Sequence, residues 1–264
     1  MKRIDYVVSK VVKALHEVVV ETKITDEELM GAIEFLTEIG KKKEFHLLSD
    51  VLGISVLVNE MTNPNEDHST PSNVEGPLYR NGSPLLTEPI KLSRNGNSGD
   101  TLFVFGSVVD SITGKELPGV EFDVWQTNHL GLYENEDPEQ EDFNLRGRFR
   151  TGLEGKYEFE TVVPVPYEIS KYGPVGRLLA QLDRHAFRPA HIHFKVTHKG
   201  YVPLTTQIFF HGDQYLDNDV ISGVKKELIY ELQKHSSKQE LNNRCLQHPF
   251  FTCQFNVALK PING

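Results

Sequence analysis

Two histidines separated by a single residue, His191 and His193, are the residues whose type and spacing point most directly to chemistry. They lie in the run RPAHIHF, whose alternating pattern predicts a β-strand. Side chains two residues apart on a strand project from the same face, so both imidazoles can reach one metal ion. Imidazole binds zinc, copper, iron and nickel. The pair alone is equally consistent with two structural histidines.

Two tyrosines, Tyr133 and Tyr167, lie just beyond predicted strands, in the runs NHLGLY and PVPYEI. Tyrosines more often pack in a core or anchor an interface than bind a metal. A deprotonated tyrosine is nevertheless an anionic oxygen donor that favours high-valent iron, and phenolate ligation of haem iron is known. Position near strand ends does not decide between these two roles.

Around these four residues the chain consists of short β-branched or alternating runs separated by turns. We predict strands at residues 101–110, 119–126, 156–163, 190–198, 204–212 and 253–260. Their number and spacing predict a mainly β fold, an antiparallel two-sheet sandwich or a barrel, of which we expect the two-sheet β-sandwich. One helix is predicted within this part of the chain, at residues 224–235.

The first sixty residues instead have a helical period, with an apolar stripe of valines and leucine on the first helix. Thr25 and Glu28 form a capping-box pattern before a second helix. The strongly apolar segment 45–61 is expected to be largely buried. The composition changes at Thr62 to residues that stop helices. We therefore divide the chain into a helical region, residues 1–65, and a β-sandwich domain, residues 66–264.

Composition excludes several classes of function. The 264 residues carry a formal net charge of −9, which argues against nonspecific binding to nucleic acid or anionic lipid. No apolar run approaches the ~18 residues of a membrane-spanning helix. Charged residues interrupt the N-terminal apolar run, which therefore fails as a signal peptide. Without one, Cys245 and Cys253 are expected to be reduced thiols, and the expected compartment is the cytoplasm.

From about residue 70 to 226 the chain resembles the intradiol ring-cleavage dioxygenases, and it is most similar to the hydroxyquinol branch, near the catechol 1,2-dioxygenases. The resemblance rests on the order and separation of eight runs: TPSNVEGPLY, DVWQTNHLGLY, NLRGRFRT, VPVPYEI, YGPVGRLL, FRPAHIHF, LTTQIFFHGDQYLDNDV and SGVKKEL. The helical N-terminus corresponds to the dimerisation and linker region of that family. Residues 233–251 depart from the family pattern.

The resemblance implies one iron(III) per chain, with Tyr133, Tyr167, His191 and His193 as its ligands. It also implies two further active-site residues, Arg188 and Gln207. In the family a diol chelates the iron as a dianion, and Tyr167 would leave the metal and take up one of its protons. Arg188 is the candidate for stabilising carbanionic character on the ring. Gln207 is expected to orient ligands or the intermediate.

The implied substrates are an aromatic diol and oxygen, and the implied assembly is a homodimer through the N-terminal helices, with bound lipid left open. The residues that match the family's substrate pocket are Leu47, Asp50, Val74, Gly76, Pro77, Leu78, Ile169, Arg188 and Ile221. An acidic residue in an otherwise apolar pocket would accept a hydrogen bond from a third ring hydroxyl. Asp50, together with the resemblance of the run PVPYEI to the hydroxyquinol branch, favours hydroxyquinol (1,2,4-trihydroxybenzene) and its cleavage to 3-hydroxy-cis,cis-muconate, or maleylacetate. The alternative role for Asp50 is structural, as a cap or ion-pair partner within segment 45–61. Catechol cleavage to cis,cis-muconate is the alternative substrate assignment.

Two other classes of protein fit parts of the pattern. A non-catalytic β-sandwich that binds sugar or a partner protein would use the histidines and tyrosines as structural residues. A cupin-like metal enzyme is also mainly β and uses His-x-His, but cupins add a glutamate and a later histidine, a set that this sequence lacks.

Overall fold

In the computed structural model, which describes residues 2–64, 68–94 and 99–262, four helices precede the first strand. They are α1 (Arg3–Thr22), α2 (Asp26–Lys42), α3 (Phe45–Val51) and α4 (Ile54–Thr62). The capping box predicted before α2 is present, because Thr25 and Glu28 each accept a hydrogen bond from the other's backbone N–H. The boundary predicted between residues 65 and 66 lies outside the described residues, so the division into domains stays a prediction.

The segment predicted to be largely buried, residues 45–61, is mostly exposed or only partly buried, and that prediction was wrong. It forms two short helices, and only Asp50 and Val51 of α3 are buried. No residue of α4 is buried, and Leu57 and Met61 are more than half exposed. Val56 packs against the apolar cluster that joins the helices to the sandwich, whereas Ile54, Leu57, Val58 and Met61 are exposed, with no other described element covering them.

The remainder of the chain forms the predicted two-sheet β-sandwich. One sheet contains β1 (Thr101–Asp110), β4 (Lys156–Val162), β10 (Gln233–His235), β11 (Phe250–Gln254) and β12 (Val257–Leu259). The other contains β2 (Glu121–Trp125), β3 (Arg146–Arg150), β7 (His191–Thr197), β8 (Leu204–Phe210) and β9 (Ile229–Tyr230). A separate two-stranded ribbon joins β5 (Tyr167–Glu168) to β6 (Phe187–Arg188).

The sheets are mixed, whereas we predicted antiparallel ones. β1 pairs in parallel with both β11 and β12, and β8 pairs in parallel with β9. In each case a long connection returns the chain to the same end of the sheet. The single strand predicted at residues 253–260 is interrupted at Phe255, whose carbonyl oxygen would lie 1.9 Å from a Cβ at Gly106. The backbones approach this closely because Gly106 has no side chain.

The helix predicted at residues 224–235 was also wrong. This segment forms a short 3-10 turn at Lys226–Leu228, followed by β9 and β10. Ile229 and Tyr230 pair with Phe209 and Phe210 on the edge of β8, and Leu228 is fully buried. Pairing with a free sheet edge and burial of Leu228 override the helical propensity of the segment.

Two apolar clusters position the functional residues. The larger one fills the space between the two sheets, with Phe122, Phe149, Phe159 and Phe194 at its centre. The second cluster joins the helices to the sandwich through Ile39 of α2, Val51 of α3 and Val175 and Leu179 of α5 (Pro174–Gln181). Both cysteines are free thiols, as expected, with Cys245 exposed and Cys253 buried. No helix in the described ranges is long and apolar enough to cross a membrane.

Candidate metal centre

The two histidines of β7 point to one place, as their spacing predicts. Their Nε2 atoms lie 3.1 Å apart, and both residues are 2 % exposed. Burial, followed by the charge of Arg188, lowers the pKa of His191 well below its ordinary value. Burial, followed by His191, does the same to the pKa of His193. Both imidazoles are therefore neutral at physiological pH, the state in which histidine binds metals.

Neighbouring residues fix the ring orientations. The Nδ1 atom of His191 lies 2.8 Å from the carbonyl oxygen of Pro189, to which it donates as an N–H. This bond leaves the lone pair on Nε2, the tautomer that a ligand at this position needs. The His193 ring stacks on Trp125, with centroids 4.7 Å apart and an interplanar angle of 5°. Trp125 and His193 are direct partners across β2 and β7.

The two tyrosines meet the histidine pair from separate segments. Tyr133 follows β2, and Tyr167 begins β5; their ring centroids are 5.8 Å apart and their hydroxyls are hydrogen-bonded. The Tyr167 ring centroid lies 5.5 Å from that of His191. Gly131 permits this approach, because its φ of 79° is left-handed and an added Cβ would lie 2.9 Å from the Cβ of Tyr167. Glycine adopts this conformation without steric cost.

Burial raises the pKa of Tyr133 well above its ordinary value, and Tyr167 raises it further. The pKa of Tyr167 is also raised by burial, although Arg188 opposes the shift. Both groups are therefore phenols in the protein alone, and a bound cation reverses this preference by favouring the anionic oxygen. Two phenolates and two neutral imidazoles suit a hard trivalent ion.

The donor set fits non-haem iron(III). Elsewhere in residues 2–64, 68–94 and 99–262, no group of three or more His, Cys, Asp or Glu side chains could hold a metal ion. The histidine pair therefore has no carboxylate or third histidine to complete it, which also excludes the cupin-like arrangement. The side-chain oxygens that lie closest to completing such a set are the hydroxyls of Tyr133 and Tyr167, which meet beside the histidines.

Arg188 lies beside this group on β6, directly paired with Tyr167 on β5. Its Nη1 lies 3.1 Å from His191 Nε2, and its Nη2 donates to Gln207 Oε1 at 2.9 Å. Burial alone would lower the pKa of Arg188, but Asp219 and the two tyrosines outweigh it and raise the pKa above the ordinary value. The guanidinium is thus a fixed, permanent cation next to the histidines.

A cavity of about 210 Å³ opens onto Tyr133, Tyr167, Arg188 and His193. All the predicted pocket residues except Val74 line it: Leu47, Asp50, Gly76, Pro77, Leu78, Ile169, Arg188 and Ile221. Val74 lines a neighbouring cleft instead, and its carbonyl accepts a hydrogen bond from Gln207 Nε2 at 2.7 Å. Gln207 is fully buried behind Arg188 and does not line the cavity. One wall of the cavity therefore comes from α3 and the others from the sandwich side.

Asp50 is the unusual residue of the cavity wall. It is 2 % exposed, and its Oδ1 atom is buried without a hydrogen-bond partner among the described residues. The nearest basic atom, His46 Nε2, lies 3.9 Å from Oδ1, beyond hydrogen-bond distance. A buried carboxylate oxygen without a donor is costly, so a donor supplied by a ligand would be bound strongly.

Two of the carboxylates that sequence reasoning missed contact the predicted site residues directly. Asp219 forms a buried ion pair with Arg188, and Glu136 lines the cavity while accepting the backbone N–H of Tyr133 at 3.2 Å. Burial raises the pKa of Glu136. Both are acidic residues in loops, a pattern that is usually solvent-exposed, so no local signal distinguished them.

Comparison with known proteins identifies the class. A family model described as dioxygenase matches residues 74–261, and one described as catechol dioxygenase N terminus matches residues 2–70. The chain belongs to the intradiol ring-cleavage dioxygenases, a family of oxidoreductases that use non-haem iron.

Individual relatives act on several diols. A hydroxyquinol 1,2-dioxygenase from Rhizobium sp. (strain MTP-10005) is 37 % identical over 90 % of this chain and 82 % of that protein. A catechol 1,2-dioxygenase from Candida albicans is 35 % identical over 90 % of this chain and 81 % of that protein. The solved structure of hydroxyquinol 1,2-dioxygenase from Pseudomonas putida DLL-E4 superposes with a TM-score of 0.91 at 34 % identity, covering 99 % of this chain and 93 % of that one. Family membership therefore establishes ring cleavage but does not select the diol.

Proposed function

We propose that the protein binds one iron(III) per chain through Tyr133, Tyr167, His191 and His193 and cleaves hydroxyquinol between its adjacent hydroxylated carbons. The product of this reaction would be 3-hydroxy-cis,cis-muconate, or maleylacetate. The observation that carries the choice of substrate is the unpartnered Oδ1 of Asp50 in the cavity wall.

Iron(III) held by these donors would supply Lewis-acid activation of the diol and a template for its two oxygens. Tyr167 is the proposed proton acceptor for one hydroxyl of the diol, because it is only partly buried and lines the cavity. Tyr133 is the proposed permanent ligand. It is 1 % exposed, and the Arg146 guanidinium lies 5.3 Å from its ring centroid. Both rings line the cavity, but the almost fully buried ring of Tyr133 has less room to move than the partly exposed ring of Tyr167.

Arg188 is the proposed electrostatic catalyst, because its cation is fixed at the cavity wall before the substrate binds. Gln207 holds Arg188 rather than the substrate. Its Oε1 accepts from the guanidinium and its Nε2 donates to the Val74 carbonyl.

Asp50 is the proposed acceptor for the third hydroxyl of hydroxyquinol. Catechol has no such hydroxyl and would leave the carboxylate oxygen buried without a donor. A site built to accept a hydrogen bond discriminates against the analogue that lacks the donor. Catechol remains the second candidate substrate, because relatives that cleave it match this chain nearly as well as those that cleave hydroxyquinol.

A second copy of this chain is the proposed partner of α1. None of the residues of α1 is buried, and a continuous stripe of its apolar side chains is exposed: Val7, Val8, Val11, Val12, Leu15, Val18 and Val19. An exposed apolar face of this extent marks an interaction surface.

Oxygen uptake by the iron-loaded protein, measured with hydroxyquinol, catechol and chlorinated catechols, tests the choice of substrate. The proposal predicts the largest kcat/KM for hydroxyquinol and the consumption of one oxygen molecule per ring opened. A larger kcat/KM for catechol would assign the chain to the catechol enzymes, and no uptake with any diol would refute the activity itself.

A further inference from the structure

Arg188 is held by a carboxylate that no feature of the sequence singled out. Asp219 Oδ1 accepts from Arg188 Nε at 3.2 Å, and Oδ2 accepts from Nη2 at 3.3 Å. Both side chains are almost fully buried. Gln207 accepts a second hydrogen bond from Nη2. With Nε and Nη2 held in this way, the remaining nitrogen, Nη1, faces His191.

The same carboxylate organises part of the cavity wall. Asp219 Oδ1 accepts the backbone N–H of Ile221 at 3.4 Å, and Oδ2 accepts that of Gly223 at 3.0 Å. Ser222 between them has a left-handed φ of 57°. A Cβ at Gly223 would lie 3.2 Å from both Arg188 Nη2 and Asp219 Oδ2. The tight turn thus brings the side chain of Ile221 into the cavity and the carboxylate against Arg188.

The ion pair between Asp219 and Arg188 determines how the guanidinium is oriented at the active site. An unpaired guanidinium at this depth would be costly, and it could relieve the cost by rotating towards any available oxygen. The two fixed oxygens of Asp219 match the fork of the guanidinium and specify one orientation. Only a cation with fixed orientation stabilises charge that develops at one point of the ring.

We propose that Asp219 is a positioning residue for catalysis, which acts by holding Arg188 in the orientation the ring-cleavage step requires. The proposal rests on the proposed function of Arg188. It assigns Asp219 no contact with the diol. Replacing it should therefore change the rate of the chemical step more than the binding of the substrate.

The test compares Asp219→Asn with Asp217→Asn, which makes the same chemical change at an exposed position two residues away. Every contact of the Asp219 carboxylate described above is with an N–H donor, and an amide offers only one acceptor oxygen. In Asp219→Asn either the Arg188 guanidinium or a backbone N–H of the turn, that of Ile221 or Gly223, therefore loses a hydrogen-bond acceptor. We expect kcat to fall on the order of 10- to 100-fold, the effect of a misplaced group. KM and iron content should stay near wild type, while Asp217→Asn should match wild type in all three.

Combination with Arg188→Gln separates positioning from a general loss of stability. If Asp219 acts through Arg188, adding Asp219→Asn to Arg188→Gln should not lower kcat further, because residues that act as one unit have non-additive effects. The double variant should also unfold at a higher temperature than Arg188→Gln alone, since the latter leaves a buried carboxylate without its cation. The comparison of Arg188→Gln with the double variant stands even if Asp219→Asn alone does not fold.

Three results would overturn the proposal. One is a kcat of Asp219→Asn within twofold of that of Asp217→Asn. Another is that Asp219→Asn lowers kcat by the same factor in the Arg188→Gln background as in the wild type. The third is a rise in KM with unchanged kcat, which would make Asp219 a support of the Ile221 wall only. A wild-type protein that cleaves no diol would refute the proposed function instead, so the two failures are distinguishable.

Discussion

His191 and His193 bring their Nε2 atoms within 3.1 Å of each other from alternate positions of one strand. Neither imidazole can turn away, because one is held by the Pro189 carbonyl and the other is stacked on Trp125. A site of this kind has little redundancy. Each of these two nitrogens is one of the four proposed ligand atoms.

His191→Ala should therefore lose iron. The remaining three donors leave one side of the ion without its ligand, and no other described cluster of ligands is available to replace it. Iron per chain, measured by plasma mass spectrometry, should fall to a small fraction of wild type. His211→Ala, at an exposed histidine away from the site, is the matched control and should keep its iron. Full iron occupancy in His191→Ala would remove His191 from the ligand set.

Tyr167→Phe should separate metal binding from turnover. The variant keeps three ligands but loses the proposed proton acceptor, so turnover should fall further than iron content does. Tyr133→Phe, which removes the shielded ligand, should lose iron and turnover together. Iron analysis and oxygen uptake on the same samples check both variants. Parallel losses in Tyr167→Phe would make Tyr167 an ordinary structural ligand.

Asp50→Ala should erase most of the preference for hydroxyquinol over catechol. A hydrogen bond to a charged acceptor contributes about 1.5–3 kcal/mol, or roughly ten- to hundredfold in specificity. The ratio of kcat/KM for the two diols should fall by that factor, with catechol turnover unchanged or slightly improved. Asp50→Asn, which keeps a neutral acceptor of the same shape, should lose less. Equal losses with both diols would show that Asp50 is structural.

Val11→Lys on α1 should convert a dimer into a monomer, because it places a charge in the exposed apolar stripe. Lys13→Glu is the matched control. Lys13 lies off the stripe, where it pairs with Glu17, and its replacement should leave the assembly unchanged. Sedimentation equilibrium of the two variants gives their masses. A monomeric wild-type protein, or a dimeric Val11→Lys, would contradict the proposed interface. Release of lipid from the wild type on denaturation would show that lipid, and not a second chain, binds the apolar stripe.

The sequence predicted the parts of the site that depend on local pattern. Strand alternation predicted that His191 and His193 lie on one face. The resemblance to the family predicted that Tyr133 and Tyr167, from distant segments, join them. The role of Asp219 was not predicted, because it depends on an ion pair with Arg188, which lies 31 residues away in the sequence. The false helix at residues 224–235 has the same origin: the local period is helical, but the free edge of β8 and the burial of Leu228 determine the structure. The parallel pairing of β11 and β12 with β1 likewise depends on long connections that carry no local signal.

The iron content and visible spectrum of the purified protein show whether each chain binds one iron(III) through two phenolates and two imidazoles. Phenolate-to-iron charge transfer should make the protein red to burgundy, with one iron per chain, and both the colour and the metal should be lost together in His191→Ala. A colourless, iron-free protein that still cleaves diols would rule out this iron centre.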